Sequence, residues 1–256
     1  MAKGERIEQF LEGRIAKIKG IDYYKVLVPL DSVRKRNADC VRRNINAWKD
    51  RRIITRHNEL FFIPLDNVAV IDIESTGLSY DDPMFLIGVG RYDARRSAFV
   101  YEGFFARDYY EEQTVLEAFI KRMSSAKAAV SFNGTFDMTR ISARARNFFI
   151  EWGWPGEKHL DVMQALKPYK KSHGLEEMSL VAYEVALLGF TRPDDDVAGE
   201  KILAEYENYR KGGNPEPLAR IVRHNVLDIF STAALYVKLL RNPEYFNQSL
   251  LDKLSL

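Results

Sequence analysis

The spacing of apolar residues changes near residue 68, and the change divides the predicted elements into two groups. In the first group, a stripe of apolar residues with helical spacing predicts a helix: Ile7, Phe10, Leu11, Ile15 and Ile18. The stretch "DYYKVLVPL" then predicts a strand, "SVRKRNADCVRRNINAWKD" a basic helix, and "RRIITRHNELFFIPL" a hairpin. This front part therefore mixes helix and strand.

From Val68 onward, short apolar runs alternate with amphipathic stretches. "VAVIDI", "MFLIGVGRY" and "SAFVYEGFF" predict three strands, and the four-residue link "DARR" forces the last two to be antiparallel. A helix, the strand "KAAVSF", a second helix, the short strand "KHLDVMQAL" and a mainly helical remainder follow. The order predicts an α/β fold of the ribonuclease-H-like arrangement. We expect a mixed five-stranded sheet flanked by helices, with a small basic α+β N-terminal segment.

The chain of 256 residues has room for one large domain and a smaller appendage. We predict a basic N-terminal segment over residues 1–66, a domain over 67–242 and a C-terminal tail over 243–256. Lysine and arginine outnumber acids 15 to 9 in the first segment, whereas acids outnumber bases 27 to 23 in the rest. This asymmetry predicts contact with a polyanion at the front of the chain.

Several classes of protein are disfavoured by the sequence. It contains no apolar run of 18 residues or more, so no membrane span is expected, and its start lacks the apolar core of a signal peptide. The single cysteine, Cys40, excludes an intramolecular disulfide and a cysteine-cluster zinc site. A cytoplasmic protein is the simplest interpretation.

The stretch "VAVIDIESTGL" places two acids, Asp72 and Glu74, at the end of a strand that should be buried. Residues i and i+2 of a strand point to the same face, so the two carboxylates should lie side by side. Their repulsion would raise both pKa values unless a cation lay between them. The structural alternative is that Glu74 caps the next turn while Asp72 pairs with an arginine.

Two further segments offer acids in similar positions. Asp137 follows the strand "KAAVSF" at the start of a helix, where an acid also favours the helix dipole without any function. His224 and Asp228 stand four residues apart on a helix, hence on one face, where a buried hydrogen bond between them is the plain alternative. Four acids from three separated segments are better explained by a metal site. Oxygen ligands without cysteine indicate two Mg²⁺ or Mn²⁺ ions, with His224 as a general base.

Three motifs, "DIESTGL", "FNGTFD" and "HNVLD", resemble those of the DEDD (DnaQ-like) 3′–5′ exonuclease superfamily, and most closely its YprB-like ribonuclease-H-like branch. The resemblance extends from about Val68 to about Leu240. It includes the stretch "SLVAYEVALLGFTRPDDDVAGEKI", with an Arg–Asp–Gly signature at Arg192, Asp196 and Gly199. Members of this superfamily usually place histidine five residues, or tyrosine four residues, before the last acid. Here histidine stands at the tyrosine spacing, which leaves the base less firmly assigned than the metal ligands.

The resemblance implies a role for each matching residue. The metal-binding carboxylates would be Asp72, Glu74, Asp137 and Asp228, and the base would be His224. The 3′-terminal nucleotide would be held by Ser75, Thr76, Gly77, Leu78, Asn133 and Phe136, although Phe136 also suits a core position. Asp161 matches a position that supports the sheet, with a ligand role as the alternative, and Arg192 and Asp196 are interpreted as structural or substrate-side residues.

A cluster of basic residues in the N-terminal segment predicts a nucleic-acid-binding patch, in which Trp48 and nearby Tyr23 and Tyr24 could stack on unpaired bases. A solvated helix face is the alternative. The proposed patch consists of Arg34, Arg36, Arg42, Arg43, Arg51 and Arg52.

Together these features predict a metal-dependent 3′–5′ exonuclease that acts on single-stranded DNA or RNA, with DNA favoured, and releases nucleoside 5′-monophosphates. The alternatives are an RNA-processing or structure-specific nuclease of the same fold and a non-catalytic nucleic-acid-binding module. Protein partners and oligomeric state are left open by the sequence.

Overall fold

A computed structural model of the chain describes residues 6–30, 43, 65–153, 159–192 and 201–242. Within these ranges one sheet contains seven strands: β1 (Gly13–Ile18), β2 (Ile21–Pro29), β3 (Val68–Ser75), β4 (Met84–Asp93), β5 (Ala98–Phe105), β6 (Ala128–Ser131) and β7 (His159–Asp161). The α-helices are α1 (Glu112–Met123), α2 (Thr135–Asn147), α3 (Val162–Ala165), α4 (Lys167–His173), α5 (Leu180–Tyr183), α6 (Ile202–Arg210) and α7 (Glu216–Arg241). Short 3₁₀ turns cover Ile7–Gln9, Leu65–Asn67 and Tyr109–Glu111, and a π-helical turn, Glu184–Leu188, continues α5.

The sheet is mixed, in the strand order β1-β2-β5-β4-β3-β6-β7. The strands from β1 to β3 in this order pair antiparallel, whereas β6 and β7 run parallel to β3. The predicted antiparallel arrangement of β4 and β5 is confirmed, as is the mixed α/β class. The parallel strands β3 and β6 end beside each other, so the residues after them share one edge of the sheet.

The helix predicted from the apolar stripe beginning at Ile7 is wrong beyond its first turn. Gly13–Ile18 is instead a strand, because it pairs with β2 across a tight hairpin whose turn residues, Lys19 and Gly20, have φ angles of 49° and 86°. β2 then pairs with β5 along its length. The sheet of the described residues therefore has seven strands rather than the predicted five, since this hairpin joins it.

The long helix α7 lies across β3 and β4 and is almost entirely buried along its inward face. Two glycines of β4 make room for it. A Cβ atom on Gly88 would lie 2.1 Å from the Asn225 side chain, and one on Gly90 would lie 2.4 Å from Ile229. The stretch "GVGRY" lies inside a strand, as predicted, and its glycines allow the helix to approach the sheet.

Several predicted elements lie outside the described residues. They are the basic helix, apart from Arg43, the hairpin after it, and the tail at 243–256; Asp196 of the Arg–Asp–Gly signature also lies outside them. The domain boundaries stay predictions. None of the helices in the described ranges has both the length and the apolar character needed to cross a membrane.

Candidate active site

Asp72 and Glu74 lie on the same face of β3, as the strand periodicity predicted. One amide, Asn225 Nδ2 on α7, donates to Oδ2 of Asp72 at 2.6 Å and lies 3.5 Å from Oε1 of Glu74. The pairing of β3 with β4 shifts register immediately after Glu74, between Glu74 and Ser75. Such a bulge bends the strand and re-aims the side chains that follow. The two acids therefore stand at the point where β3 leaves the sheet.

Asp137 and Asp228 reach the same region from two helices. Asp137 lies in the first turn of α2, directly after β6, and is almost fully buried. Asp228 lies on α7 one turn after His224. Its charge acts on all three other acids, which places the four carboxylates in one electrostatic group. The structure thus brings together the four acids that the motifs identified.

The pKa values of Asp72, Glu74 and Asp137 are raised, first by burial and then by the neighbouring negative charges. Burial, with the charges of Asp228 and Asp137, holds the pKa of Asp72 well above its usual range. Burial raises the pKa of Glu74 to about 8, although nearby His224 opposes the shift. Burial and the charge of Asp161 raise the pKa of Asp137 to about 7. A bound cation would favour the ionised form of each acid and reverse these shifts.

Asn225 is a site residue that the sequence reasoning did not single out. It is fully buried, and its Oδ1 accepts a hydrogen bond from the hydroxyl of Tyr101 on β5 at 2.8 Å. Tyr101 thus orients the amide, and the amide's nitrogen holds the carboxylate of Asp72. The available signal was its position between His224 and Asp228, on a helix that is otherwise apolar toward the sheet.

Arg192 contacts the group from the segment that follows the π-helical turn. Its guanidinium forms a bidentate ion pair with the fully buried Glu184: Nε donates to Oε2 at 2.7 Å and Nη2 donates to Oε1 at 2.8 Å. The same guanidinium donates to Oδ1 of Asp228 at 2.5 Å. The sequence interpretation of Arg192 as a structural or substrate-side residue stays a prediction. Its contacts include Glu184, Asp228 and His224, and only Asp228 belongs to the carboxylate group.

His224 lies between the same two neighbours. Arg192 donates to its Nδ1 at 3.2 Å, and its Nε2 lies 3.5 Å from Oδ2 of Asp228. A neutral imidazole has one lone pair and one N–H, so a donor at Nδ1 places the hydrogen on Nε2, toward Asp228. In this arrangement the lone pair that a base needs is engaged by Arg192. Proton uptake by His224 therefore requires Arg192 to loosen its contact.

In the described part of the chain, no three His, Cys, Asp or Glu side chains converge closely enough to hold a metal ion as they stand. Two contacts help to explain this, since Asn225 occupies one oxygen of Asp72 and Arg192 one oxygen of Asp228. The donor chemistry nevertheless fits Mg²⁺ or Mn²⁺, because four carboxylates without a thiolate are the ligands these ions prefer. Burial is the main cause of the raised pKa values of Asp72, Glu74 and Asp137, and a bound cation would oppose it.

The segment after the acid pair forms an ordered turn. Thr76 is buried, and its N–H donates to the carbonyl of Pro83 at 3.0 Å. A Cβ atom on Gly77 would lie 2.3 Å from Oδ2 of Asp82, so packing within the turn already requires glycine. Leu78, in contrast, is 85% exposed. Ser75, Thr76, Gly77 and Leu78 directly follow the acid pair in the chain, and their contact with substrate stays a prediction.

The second motif is anchored by Asp161. Its Oδ1 accepts from the backbone N–H of Asn133 at 3.0 Å and also caps the first turn of α3. Asn133 is exposed with a φ angle of 58°, a left-handed conformation that asparagine tolerates. Phe136 is half-buried and lies against the guanidinium of Arg140, at 4.4 Å. The supporting role expected for Asp161 agrees with these contacts.

The predicted nucleic-acid patch lies almost entirely outside the described residues. Only Arg43 is described, as an exposed residue in helical conformation. Two further histidines, His159 and His173, are also described. His159 bonds the Ser131 hydroxyl at 2.7 Å and joins β6 to β7, and His173 packs on Tyr169 at the end of α4.

Comparison with protein families places this geometry in a known group. The RNase_H_2 model, described as RNase_H superfamily, matches residues 69–240, which is about two thirds of the chain and contains every carboxylate of the group. No significant match to a curated protein was found.

Proposed function

The chain belongs to the RNase_H_2 family of the RNase H superfamily, and on this premise we propose that it is a divalent-metal-dependent 3′–5′ exonuclease. Its substrate is single-stranded nucleic acid, DNA in preference to RNA, and its products are nucleoside 5′-monophosphates. The observation that carries the proposal is that four carboxylates from β3, α2 and α7 lie near enough to act on one another's ionisation, in a largely buried setting. A fold-supporting role does not account for them, because burying like charges together destabilises a protein.

The carboxylates proposed to hold two metal ions are Asp72, Glu74, Asp137 and Asp228. Bound Mg²⁺ or Mn²⁺ would supply Lewis-acid polarisation of the phosphodiester and lower the pKa of the attacking water. His224 is proposed to take the proton of that water, since an imidazole with an ordinary pKa near 6.5 suits a base at neutral pH. Asn225 orients the carboxylate of Asp72, and Arg192 must release Nδ1 of His224 before that nitrogen can accept a proton.

The 3′-terminal nucleotide is proposed to lie on the turn after β3. Exposed Leu78 offers an apolar surface to a base. The hydroxyls of Ser75 and buried Thr76 donate to the carbonyls of Gly77 and Pro83, so their proposed contact with the sugar requires an exchange of these hydrogen bonds. Asn133 and Phe136 approach from the start of α2, beside Asp137. Leu78 and Asn133 are exposed next to the acids, and this exposure supports contact with a nucleotide. A cytoplasmic location is proposed on the single cysteine alone.

The test uses single strands of DNA and RNA labelled at the 5′ end and incubated with Mg²⁺ or Mn²⁺. A descending ladder from the parent protein, absent from the Asp72→Ala/Glu74→Ala variant, is the expected result. A matched variant that removes two exposed acids, Glu12→Ala/Glu176→Ala, should cleave as the parent does. Discrete internal fragments in place of a ladder would indicate a structure-specific or RNA-processing nuclease.

One observation favours the non-catalytic binding module as the second candidate. Arg192 already neutralises Asp228, and within the described ranges the acids do not converge as a metal site. A protein that binds both labelled strands, cleaves neither with any divalent ion and shows no heat of Mg²⁺ or Mn²⁺ binding in calorimetry would support that candidate and contradict the nuclease.

A further inference from the structure

Arg140 is the largest fully buried side chain among the described residues. It lies on α2, three residues after Asp137, and so on the same side of the helix. The motif "FNGTFD" ends at Asp137, so it assigns no role to Arg140. Its guanidinium is therefore buried beside the acid group without an assigned function.

The contacts of Arg140 are directed at the turn after β3. Its Nη1 donates to the carbonyl oxygen of Gly77 at 2.6 Å and also to the hydroxyl of Ser75. The ring of Phe136 covers the guanidinium at 4.4 Å. Among the described residues, Nε and Nη2 have no hydrogen-bond partner and no carboxylate accepts a hydrogen bond from Arg140.

Stability is a poor explanation for this arrangement. A buried guanidinium with unmet donors costs free energy, and burial lowers the pKa of Arg140 although Asp82 and Asp137 partly oppose the shift. An apolar side chain would fill the same helix position without that cost. What the guanidinium provides is a fixed geometry for the backbone of the turn.

The rest of the turn has its own supports. Thr76 closes its base against Pro83, and the N–H of Ser79 donates to Asp82 at 2.7 Å. Arg144, one turn further along α2, donates to the carbonyl of Asp81 at 2.8 Å. Arg140 is thus the tie from α2 to the end of the turn nearest Glu74. Exposed Leu78 and Tyr80 follow directly after that tie.

We propose that Arg140 is a positioning residue that fixes the backbone of Ser75–Gly77 relative to the carboxylate group, so that this segment holds the 3′-terminal nucleotide in register with the acids. The proposal rests on the proposed exonuclease function. It assigns two roles to α2. Asp137 supplies one carboxylate, and Arg140, three residues later, positions the turn that contacts the substrate.

The test compares three variants of the full chain in steady-state degradation of a single strand. Arg140→Met removes the donors but keeps an unbranched stem, and Arg140→Lys restores one donor and the charge. Arg146→Met makes the same change at an exposed position of the same helix. We expect KM to rise roughly 10- to 100-fold in Arg140→Met with kcat changed by less than about threefold, partial rescue in Arg140→Lys, and no change in Arg146→Met.

A second measurement does not depend on catalysis. Amide hydrogen exchange should accelerate at residues 75–79 in Arg140→Met, with exchange in β4 and α7 unchanged and Mg²⁺ affinity retained. If Arg140→Met fails to fold, the proposal is tested by the KM of Arg140→Lys and by its amide hydrogen exchange at residues 75–79.

The outcomes separate this proposal from the proposed function. An active parent whose KM, kcat and turn exchange are unaffected at position 140 overturns the role of Arg140 alone. A fall in kcat at constant KM also overturns it. A parent that degrades no strand overturns the exonuclease proposal and, with it, the substrate role of Arg140.

Discussion

The side-chain amide of Asn225 donates a hydrogen bond to the carboxylate of Asp72, at 2.6 Å, across an interface between α7 and β3. The amide is itself oriented by the hydroxyl of Tyr101, which donates to its oxygen. Asn225 therefore fixes the position of a carboxylate that is proposed to bind metal. Outer residues of this kind act on metal affinity through the ligand that they orient.

Replacement of Asn225 by leucine should weaken Mg²⁺ or Mn²⁺ binding by roughly 10- to 100-fold, because the carboxylate of Asp72 loses its orienting donor. Titration calorimetry measures the affinity directly. Asn242→Leu, at the end of the same helix, is the matched control and should bind metal as the parent does. Unchanged affinity in Asn225→Leu would show that Asp72 is positioned without the amide.

Features set by neighbouring residues could be predicted from the sequence, whereas contacts between residues far apart in the chain could not. The shared face of Asp72 and Glu74 follows from strand periodicity alone, so it could be predicted from the local sequence. The hydrogen bond from Tyr101 to Asn225 joins residues 124 apart, and the ion pair from Arg192 to Asp228 spans 36. Such contacts depend on how α7 packs against the sheet. That packing cannot be read from a local sequence pattern.

In the N-terminal hairpin, a prediction made from local spacing was wrong because long-range strand pairing determined the structure. Apolar spacing at Ile7 to Ile18 suited a helix, but pairing with β2 and β5 determined a strand. The turn at Lys19 and Gly20 was the local signal for a hairpin. A short amphipathic stretch can fit both the helical and the strand periodicity. The availability of a sheet edge for pairing then determines which structure forms.

The stability of the metal-free protein should fall as pH rises from about 5 to about 8. The pKa of Glu74 is raised to about 8 and that of Asp137 to about 7, so in this window the folded chain holds protons that the unfolded chain has released. The contribution of these groups is complete below their unfolded pKa values, near 4, and is lost as pH rises through the folded values. Urea unfolding at several pH values measures the change.

Saturating Mg²⁺ should remove much of this pH dependence, since a bound cation stabilises the ionised acids. A Glu74→Gln variant, which cannot ionise at that position, should show a flatter metal-free profile than the parent. A parent whose unfolding free energy rises over the same window would contradict the raised pKa values.

Disruption of the pair between Arg192 and Glu184 should destabilise the fold. Both side chains are buried, at 6% and 0% exposure, so Arg192→Met leaves an uncompensated carboxylate in the interior. The expected loss is about 3–5 kcal/mol of unfolding free energy. The double variant Glu184→Gln/Arg192→Met should recover a large part of it, and the corresponding double-mutant cycle in urea measures the coupling. Additive single effects would argue against a coupled pair.

If the predicted patch in residues 34–52 binds phosphates, added salt should lower the affinity for single strands. The reason is that each neutralised phosphate releases counterions. Reversal of charge in Arg34→Glu/Arg36→Glu should lower affinity and reduce the salt slope, without changing single-turnover cleavage at saturation. Fluorescence anisotropy across a salt series measures both quantities. An affinity that does not respond to salt would assign these arginines to a solvated surface.

Replacement of His224 by alanine should lower kcat by about 10²- to 10⁴-fold, the usual contribution of a positioned base, while metal binding survives. The loss should shrink at high pH, where hydroxide replaces the base. Arg192 engages Nδ1 of His224 at 3.2 Å, so the pH profile of the parent also reports whether that contact is released during turnover. Single-turnover rates of both proteins between pH 6 and 9, with calorimetric Mg²⁺ affinity alongside, provide the measurement. Equal rates in variant and parent would remove His224 from the mechanism and leave the proton to another acceptor.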